Sequence, residues 1–195
     1  LDDTLVTDPA EQVEIPPERR GIGLVFQDYA VWPHMTVFDN VAYPLKIAKR
    51  PKDEIRMRVM EMVEIVGMKG LEKRLPSELS GGQQQRVGLA RVFFLAPDLL
   101  LMDEPFSALD AITREAMQEV FLSLRRKYAV TTLLVTHYVE EALMLADCIA
   151  VMRGKPGRVV EVIDNAFVGD ITRRSSPAFS AMGQTLREKI AGEGA

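Results

Sequence analysis

The run Leu99-Leu100-Leu101-Met102 is apolar at every position and ends in two adjacent carboxylates, Asp103-Glu104. This is strand length, and a strand apolar on both faces needs covering on both. That demand points to a buried strand in a sheet flanked by helices. Ile22 to Phe26, Thr132 to Val135, Cys148 to Met152 and Val159 to Ile163 read as further strands. The last two flank the turn Gly154-Lys155-Pro156-Gly157 and read as a pair. Lys52 to Val66 carries Ile55, Val59, Met62, Val63 and Val66 on one helical face, with Gly67 as its stop. Gly81 to Leu95 reads as a helix ended by Pro97. Thr113 to Tyr128 reads as another, with Ala116, Val120 and Leu124 on one stripe, and Val139 to Ala146 as a third. Residues 1 to 20 are polar, contain Pro16-Pro17 and show little periodicity. Strands and helices alternate, so the expected class is α/β with a largely parallel sheet.

Composition narrows the function classes. The chain has 195 residues, 47% apolar and 27% charged, enough for one sizeable core. Its net charge of −4 offers no basic excess for nucleic acid, and no nucleic-acid partner is expected. Cys148 is the only cysteine, which excludes an internal disulfide and a cysteine-based zinc cluster. It lies in an apolar run and is expected to be a buried, inert thiol. No secretory signal is expected from the opening residues, and no apolar run approaches the roughly 20 residues that cross a bilayer. Any membrane role therefore has to come through a partner, with the chain itself expected in the cytoplasm.

Two sites carry chemistry. In Leu79-Ser80-Gly81-Gly82-Gln83 a serine and two glycines open a helix, exposing unpaired N–H groups and the positive end of the helix dipole. Glycines let the backbone approach an anion, and the Ser80 hydroxyl adds a donor, an arrangement suited to phosphate. Ser80 serves equally as a plain N-cap. At the second site, Asp103 and Glu104 emerge at the carboxyl end of a buried strand, where α/β folds bind ligands. One carboxylate there can hold Mg2+, directly or through water. The next can take a proton from, or orient, an attacking water. Two solvated acids closing a strand would look the same.

Order and spacing join the two sites. Leu79 and Leu99 lie 20 residues apart with one helix between them. Pro105-Phe106-Ser107-Ala108-Leu109-Asp110 follows, and then a strand ending in Thr136-His137. This pattern resembles the ABC ATPases. Leu79 to Gln83 resembles their signature motif, Leu99 to Glu104 the Walker B strand, Ser107 to Asp110 the D-loop, His137 the switch histidine, and Val25-Phe26-Gln27-Asp28-Tyr29 the Q-loop. The resemblance runs from about Gly21 to Ile163. It implies a P-loop NTPase-like core with a helical subdomain, and ATP and Mg2+ as ligands. It also implies a head-to-tail pair of ATP-binding subunits, transmembrane permease subunits, and indirectly a solute-binding protein. The expected place is the cytoplasmic face of the inner membrane, peripherally bound. Carried over, Ser80, Gly81, Gly82 and Gln83 contact the nucleotide across the pair and Asp110 orders the interface. Asp103 holds Mg2+ and Glu104 polarises the attacking water. Gln27 senses both metal and water, and His137 contacts the γ-phosphate. His34 is not catalytic by this comparison. Tyr29, Trp32 and Met35, just after the Q-loop, fall where the family meets its membrane partner, although local packing would account for them too.

Two features depart from the family pattern. Tyr138 follows His137 where many relatives carry an acid. No G-x-x-x-x-G-K-[ST] pattern occurs in these residues, and the one Gly-Lys pair, Gly154-Lys155, is followed by Pro156. In the family that loop precedes the Q-loop, on a strand expected beside the Walker B strand. The fold is thus expected to be N-terminally incomplete, with a central strand left unpaired. Three readings follow: a truncated motor subunit, a degenerate regulatory partner that keeps the signature motif, or a soluble ABC protein of translation or DNA repair. The expected organisation is residues 1–43 as a remnant of the ATPase core with the Q-loop, and 44–90 as the helical subdomain ending in the signature motif. Residues 91–163 complete the core and 164–195 form a tail. Gln27 to Val41 looks like a bacterial importer. Gly154 to Val160 and Arg173-Arg174-Ser175-Ser176-Pro177 resemble the nitrate, sulfonate and taurine importers most. Leu45-Lys46-Ile47 and Lys52 to Ile55 also resemble polyamine, iron and sugar importers.

Overall fold

The computed structural model describes residues 7–8, 13–16, 20–25 and 31–192. The elements in order are β1 (Thr7–Asp8), β2 (Val13–Glu14), β3 (Ile22–Val25), α1 (Val37–Ile47), α2 (Lys52–Ile65), α3 (Gly81–Phe94), β4 (Leu99–Asp103), α4 (Ala111–Tyr128), β5 (Thr131–Val135), α5 (Val139–Leu145), β6 (Cys148–Arg153), β7 (Arg158–Asp164) and α6 (Pro177–Ala191). Short 3-10 turns lie at Pro76–Glu78 and Ile171–Ser175. The chain divides into two compact units, Leu1–Leu133 and Leu134–Ala195.

The first unit is built on a sheet of order β3-β4-β5. β3 and β4 run parallel, with Ile22 opposite Leu99 and Val25 opposite Met102. The α/β class with a parallel sheet is therefore met. The strand order corrects one expectation. β4 has a neighbour on each side, so the strand expected beside it has no place there; among the described residues the sheet's outer strands are β3 and β5. β4 is also less enclosed than its composition suggests. Leu100 and Met102 are buried, whereas Leu99 and Leu101 are only half-buried. In β3, paired with β4, Ile22 and Leu24 are exposed.

α3 packs on β3 at close range. A Cβ at Gly23 would stand 2.7 Å from Val92 Cγ1 and 3.0 Å from Pro97 Cγ, so only glycine admits this approach. α1, α2, α3 and α4 then close a core in which Val41, Val59, Met62, Val63, Leu89 and Phe93 are almost fully buried. All five apolar positions anticipated in α2, Ile55, Val59, Met62, Val63 and Val66, are buried, and Gly67 ends it at φ 68°. In α4 Leu124 is buried as expected, but the rest of the stripe sits one residue on from Ala116 and Val120. Met117, Phe121 and Leu124 are buried with Gln118 and Leu122, while Ala116 and Val120 are half-buried. Phe121 meets Phe93 and Phe106 edge-on, with ring centroids 6.0 and 6.4 Å apart.

The second unit is an antiparallel hairpin, β6 with β7, bulged at Val151/Met152 and packed by α6. Phe167 and Phe179 stack edge-on at 5.6 Å, and Asn165 Nδ2 donates to the carbonyls of Leu143 and Ala146, fixing the end of α5. Cys148 is exposed, contrary to the buried thiol anticipated. It opens β6 opposite Asp164, and strand alternation directs its neighbours Ile149 and Val151 inward in its place. Among the described residues no helix is long and apolar enough to cross a membrane.

Candidate functional site: a helix start and a carboxylate turn

Ser80 caps α3 through a reciprocal box. Its Oγ accepts from the Gln83 N–H at 3.3 Å, and Gln83 Oε1 accepts from the Ser80 N–H at 2.9 Å. Ser80 is therefore a cap, and its hydroxyl proton remains available to donate. The N–H groups of Gly81 and Gly82 precede the first intrahelical bonds and point out of the helix start. Gly82 has a packing role as well. A Cβ there would stand 2.4 Å from Thr113 Cγ2, so α3 and the first turn of α4 meet where a side chain would intrude.

The three consecutive glutamines of this helix diverge. Gln83 completes the capping box. Gln84 Nε2 donates to the Pro76 carbonyl at 3.0 Å and holds the preceding 3-10 turn. Gln85, only 2% exposed, donates from Nε2 to the Pro105 carbonyl. The Gln85 bond joins the signature-like helix to the turn after the Asp103-Glu104 pair. Nothing in the sequence separates Gln85 from its two neighbours, and its role was not anticipated.

Asp103 is exposed as the last residue of β4. Glu104, half-buried, adopts φ 44°, a left-handed conformation that costs a residue bearing Cβ about 1–2 kcal/mol. The surroundings over-determine it. The Glu104 carbonyl accepts from the Ser107 N–H at 3.2 Å and from Ser107 Oγ at 2.9 Å. Phe106 and Leu109 are buried on either side of the loop, and Arg114 donates to the Leu109 carbonyl at 2.9 Å. Asp110 caps α4 by accepting from the Thr113 N–H at 3.0 Å. That bond is the chief reason its carboxyl titrates below the ordinary 3.8.

These contacts bring Ser80, Gly82, Asp103, Glu104 and Asp110 onto one braced framework of α3, the post-β4 turn and the start of α4. His137 belongs to the second unit, where its ring lies 4.1 Å from that of Tyr138, tilted by 36°. Gln27, with Tyr29, lies outside the described residues. Trp32 and Met35 are half-buried rather than prominent, and His34 is exposed. The Trp32 ring is held between Tyr43, at 4.2 Å, and the Arg91 guanidinium, at 4.2 Å. Arg91 Nη1 is buried without a hydrogen-bond partner, and burial lowers the pKa of this guanidinium. Asn40 fixes the loop, accepting from the Trp32 N–H and donating to the carbonyls of Trp32, Met35 and Thr36.

The carboxyl end of β4 suits a magnesium–phosphate ligand better than a free metal ion. Among the described residues no three His, Cys, Asp or Glu side chains gather as a metal cage. Mg2+ needs no such cage, since it is ordinarily held by one or two carboxylates together with phosphate oxygens and water. The strand end supplies such carboxylates, and the glycine-rich helix start separately offers N–H donors suited to phosphate.

Comparison with known proteins agrees. The family profile described as ABC transporter matches residues 3–107. The sulfate/thiosulfate import ATP-binding protein CysA of Mycobacterium tuberculosis is 47% identical over 172 residues, spanning 85% of this chain and 49% of that protein. The trehalose/maltose import ATP-binding protein MalK of Thermococcus litoralis is 46% identical over 175 residues, 86% of this chain and 47% of its own length. The spermidine/putrescine import ATP-binding protein PotA of Nitrosospira multiformis is 43% identical over 193 residues, 95% of this chain and 52% of that protein. The chain thus spans about half the length of the curated relatives it matches. These relatives support the importer type without supporting the nitrate, sulfonate and taurine subgroup. With its motifs, its fold and this match in agreement, the chain belongs to the ABC transporter family.

Proposed function

We propose that this chain forms part of the ATP-hydrolysing subunit of an ABC importer and works as one half of a head-to-tail pair docked on membrane permease subunits. The observation that carries the reading is the strained Glu104, set directly after an exposed Asp103 at the carboxyl end of β4. Strain held in place by surrounding bonds is characteristic of functional sites. Mg2+, when bound, neutralises charge on the phosphates as the terminal one is transferred to water. Asp103 holds that ion, directly or through water. Glu104 orients the attacking water and accepts its proton. Ser80, Gly81 and Gly82 donate to the terminal phosphate of a nucleotide bound by the opposite subunit, with Gln83 locking the helix start. His137 donates to the same phosphate, and a preorganised donor of this kind is worth roughly 10²-fold in rate. Gln27 senses the metal and the water, and Asp110 orders the interface.

Closure of the pair moves the permease between facing states, a population shift across an interface. The transported solute is proposed to be a small oxyanion, a class supported by the sulfate/thiosulfate importers among the relatives. Nitrate and sulfonates belong to that chemical class, and taurine carries a sulfonate group. The subunit lies peripherally at the cytoplasmic face, and a solute-binding protein supplies the cargo.

The test is Glu104→Gln in the assembled transporter. The expected variant binds Mg-ATP, stays closed and releases no phosphate; rapid turnover would remove Glu104 from its role. Mixed pairs with one Ser80→Arg subunit should lose one of two sites. Full activity at both would remove the trans role.

A further inference from the structure

Two consecutive carbonyls follow β4, and each is held from a different direction. The Glu104 carbonyl is held within the turn by the N–H and Oγ of Ser107. The Pro105 carbonyl finds its donor in α3, in the Gln85 amide. A fully buried glutamine is costly unless its amide is satisfied, so this bond, rather than packing, accounts for the residue type at position 85. The two peptide units that follow Glu104 are therefore each held by a hydrogen bond, while Glu104 itself sits in a left-handed conformation uncommon for a residue bearing Cβ.

We propose that Gln85 is a positioning residue: through the Pro105 carbonyl it holds the Glu104 backbone so that the carboxylate stays aimed at its water. The bond also couples that aim to the helix carrying Ser80, Gly81 and Gly82. In a head-to-tail pair this helix serves the opposite nucleotide. Gln85 thus mechanically links the signature motif facing one site to the base of the other. The positional claim stands on geometry alone; its catalytic meaning rests on the reading of Glu104 given above.

Two measurements separate these claims. The first uses this chain and follows amide exchange at Ser107, whose N–H closes the turn. Gln85→Met keeps length and packing but has no donor. It should speed exchange at Ser107 about 10-fold or more relative to Leu89 and Ala90 in the middle of α3. Unchanged relative exchange overturns the brace, whatever the enzyme does. The second uses the assembled transporter. Gln85→Met should lower kcat for Mg-ATP by about 10- to 100-fold, the scale of a misplaced catalytic group, with KM moving by less than about twofold. Leu89→Ala, fully buried on the same helix, is the control for mere destabilisation and should leave kcat within about twofold. Equal kcat losses in the two variants, or an unchanged kcat in Gln85→Met, overturn the positioning role. A wild-type transporter without Mg-ATP turnover would overturn the proposed function instead, and exchange at Ser107 would still decide the brace.

Discussion

Replacing Gly82 by alanine tests whether the signature-like glycine serves packing as well as phosphate. An added Cβ would lie 2.4 Å from Thr113 Cγ2, more than 1 Å inside the ordinary carbon–carbon contact of about 3.5–4.0 Å. Thr113 is β-branched, sits in the first turn of α4 and has its N–H tied to Asp110, so its methyl cannot swing away freely. Overpacking of this kind costs about 1–3 kcal/mol. Alanine also gains up to about 1 kcal/mol in helix propensity over glycine. The net expectation for Gly82→Ala is a loss of roughly 0–2 kcal/mol. Thr113→Ser deletes only the offending methyl. In that background Gly82→Ala should be neutral or stabilising by up to about 1 kcal/mol, giving a coupling of about 1–3 kcal/mol in a double-mutant cycle. Urea unfolding reads this directly. At a slope of roughly 2 kcal/mol/M, a coupling of 2 kcal/mol separates the midpoints by about 1 M. Equal shifts in both backgrounds, within about 0.5 kcal/mol, would refute the contact as the reason for glycine here.

The loop after the Q-loop-like segment offers a spectroscopic test. Trp32 is the only tryptophan, and Asn40→Ala removes the side chain that bonds its N–H and carbonyl. We expect a loss of about 1–3 kcal/mol and a red-shifted Trp32 emission as the ring leaves Tyr43 and Arg91. Unchanged emission would show that Asn40 does not hold the loop. Acid titration tests the cap of α1. The Asp39 carboxyl is held below its ordinary 3.8, chiefly by its bond to Lys46 and then by the Thr36 hydroxyl. A carboxyl depressed in the folded state contributes stability above its unfolded pKa, near 3.9, and loses it as pH falls through the folded value. Asp39→Asn should therefore be less stable than the parent above about pH 5, the gap narrowing below about pH 4. A gap constant with pH would contradict the assignment.

What the sequence revealed depended on how strictly each segment kept its period. α2 was legible because five apolar residues fall on one face and Gly67 ends it. α1 was not foreseen. Its pattern of Val37, Val41, Ala42 and Leu45 is interrupted by Pro44 and by a buried Asn40, both of which argue against a helix interior. α6 escaped for the opposite reason. Ser176 caps it and Pro177 occupies its first position, a clear start signal, yet only Phe179, Gly183 and Leu186 of the helix are buried. Cys148 shows that an apolar run does not fix which face a strand buries; alternation puts Ile149 and Val151 inside and the thiol outside. At the candidate site the carboxylate pair and the capping serine were readable, because each is a local signal at an element end. The left-handed backbone of Glu104 and the Gln85 bond were not, because a backbone angle and a contact across 20 residues leave no periodic trace.

The most direct test of the account is calorimetry and phosphate release with Mg-ATP on this 195-residue chain. The chain supplies Ser80, Gly81, Gly82, Asp103 and Glu104 but has no lysine-bearing phosphate loop in its sequence. The account therefore predicts neither tight binding nor turnover by these 195 residues alone. Clear binding and hydrolysis by the chain alone would contradict it, and would mean that another segment cradles the phosphates.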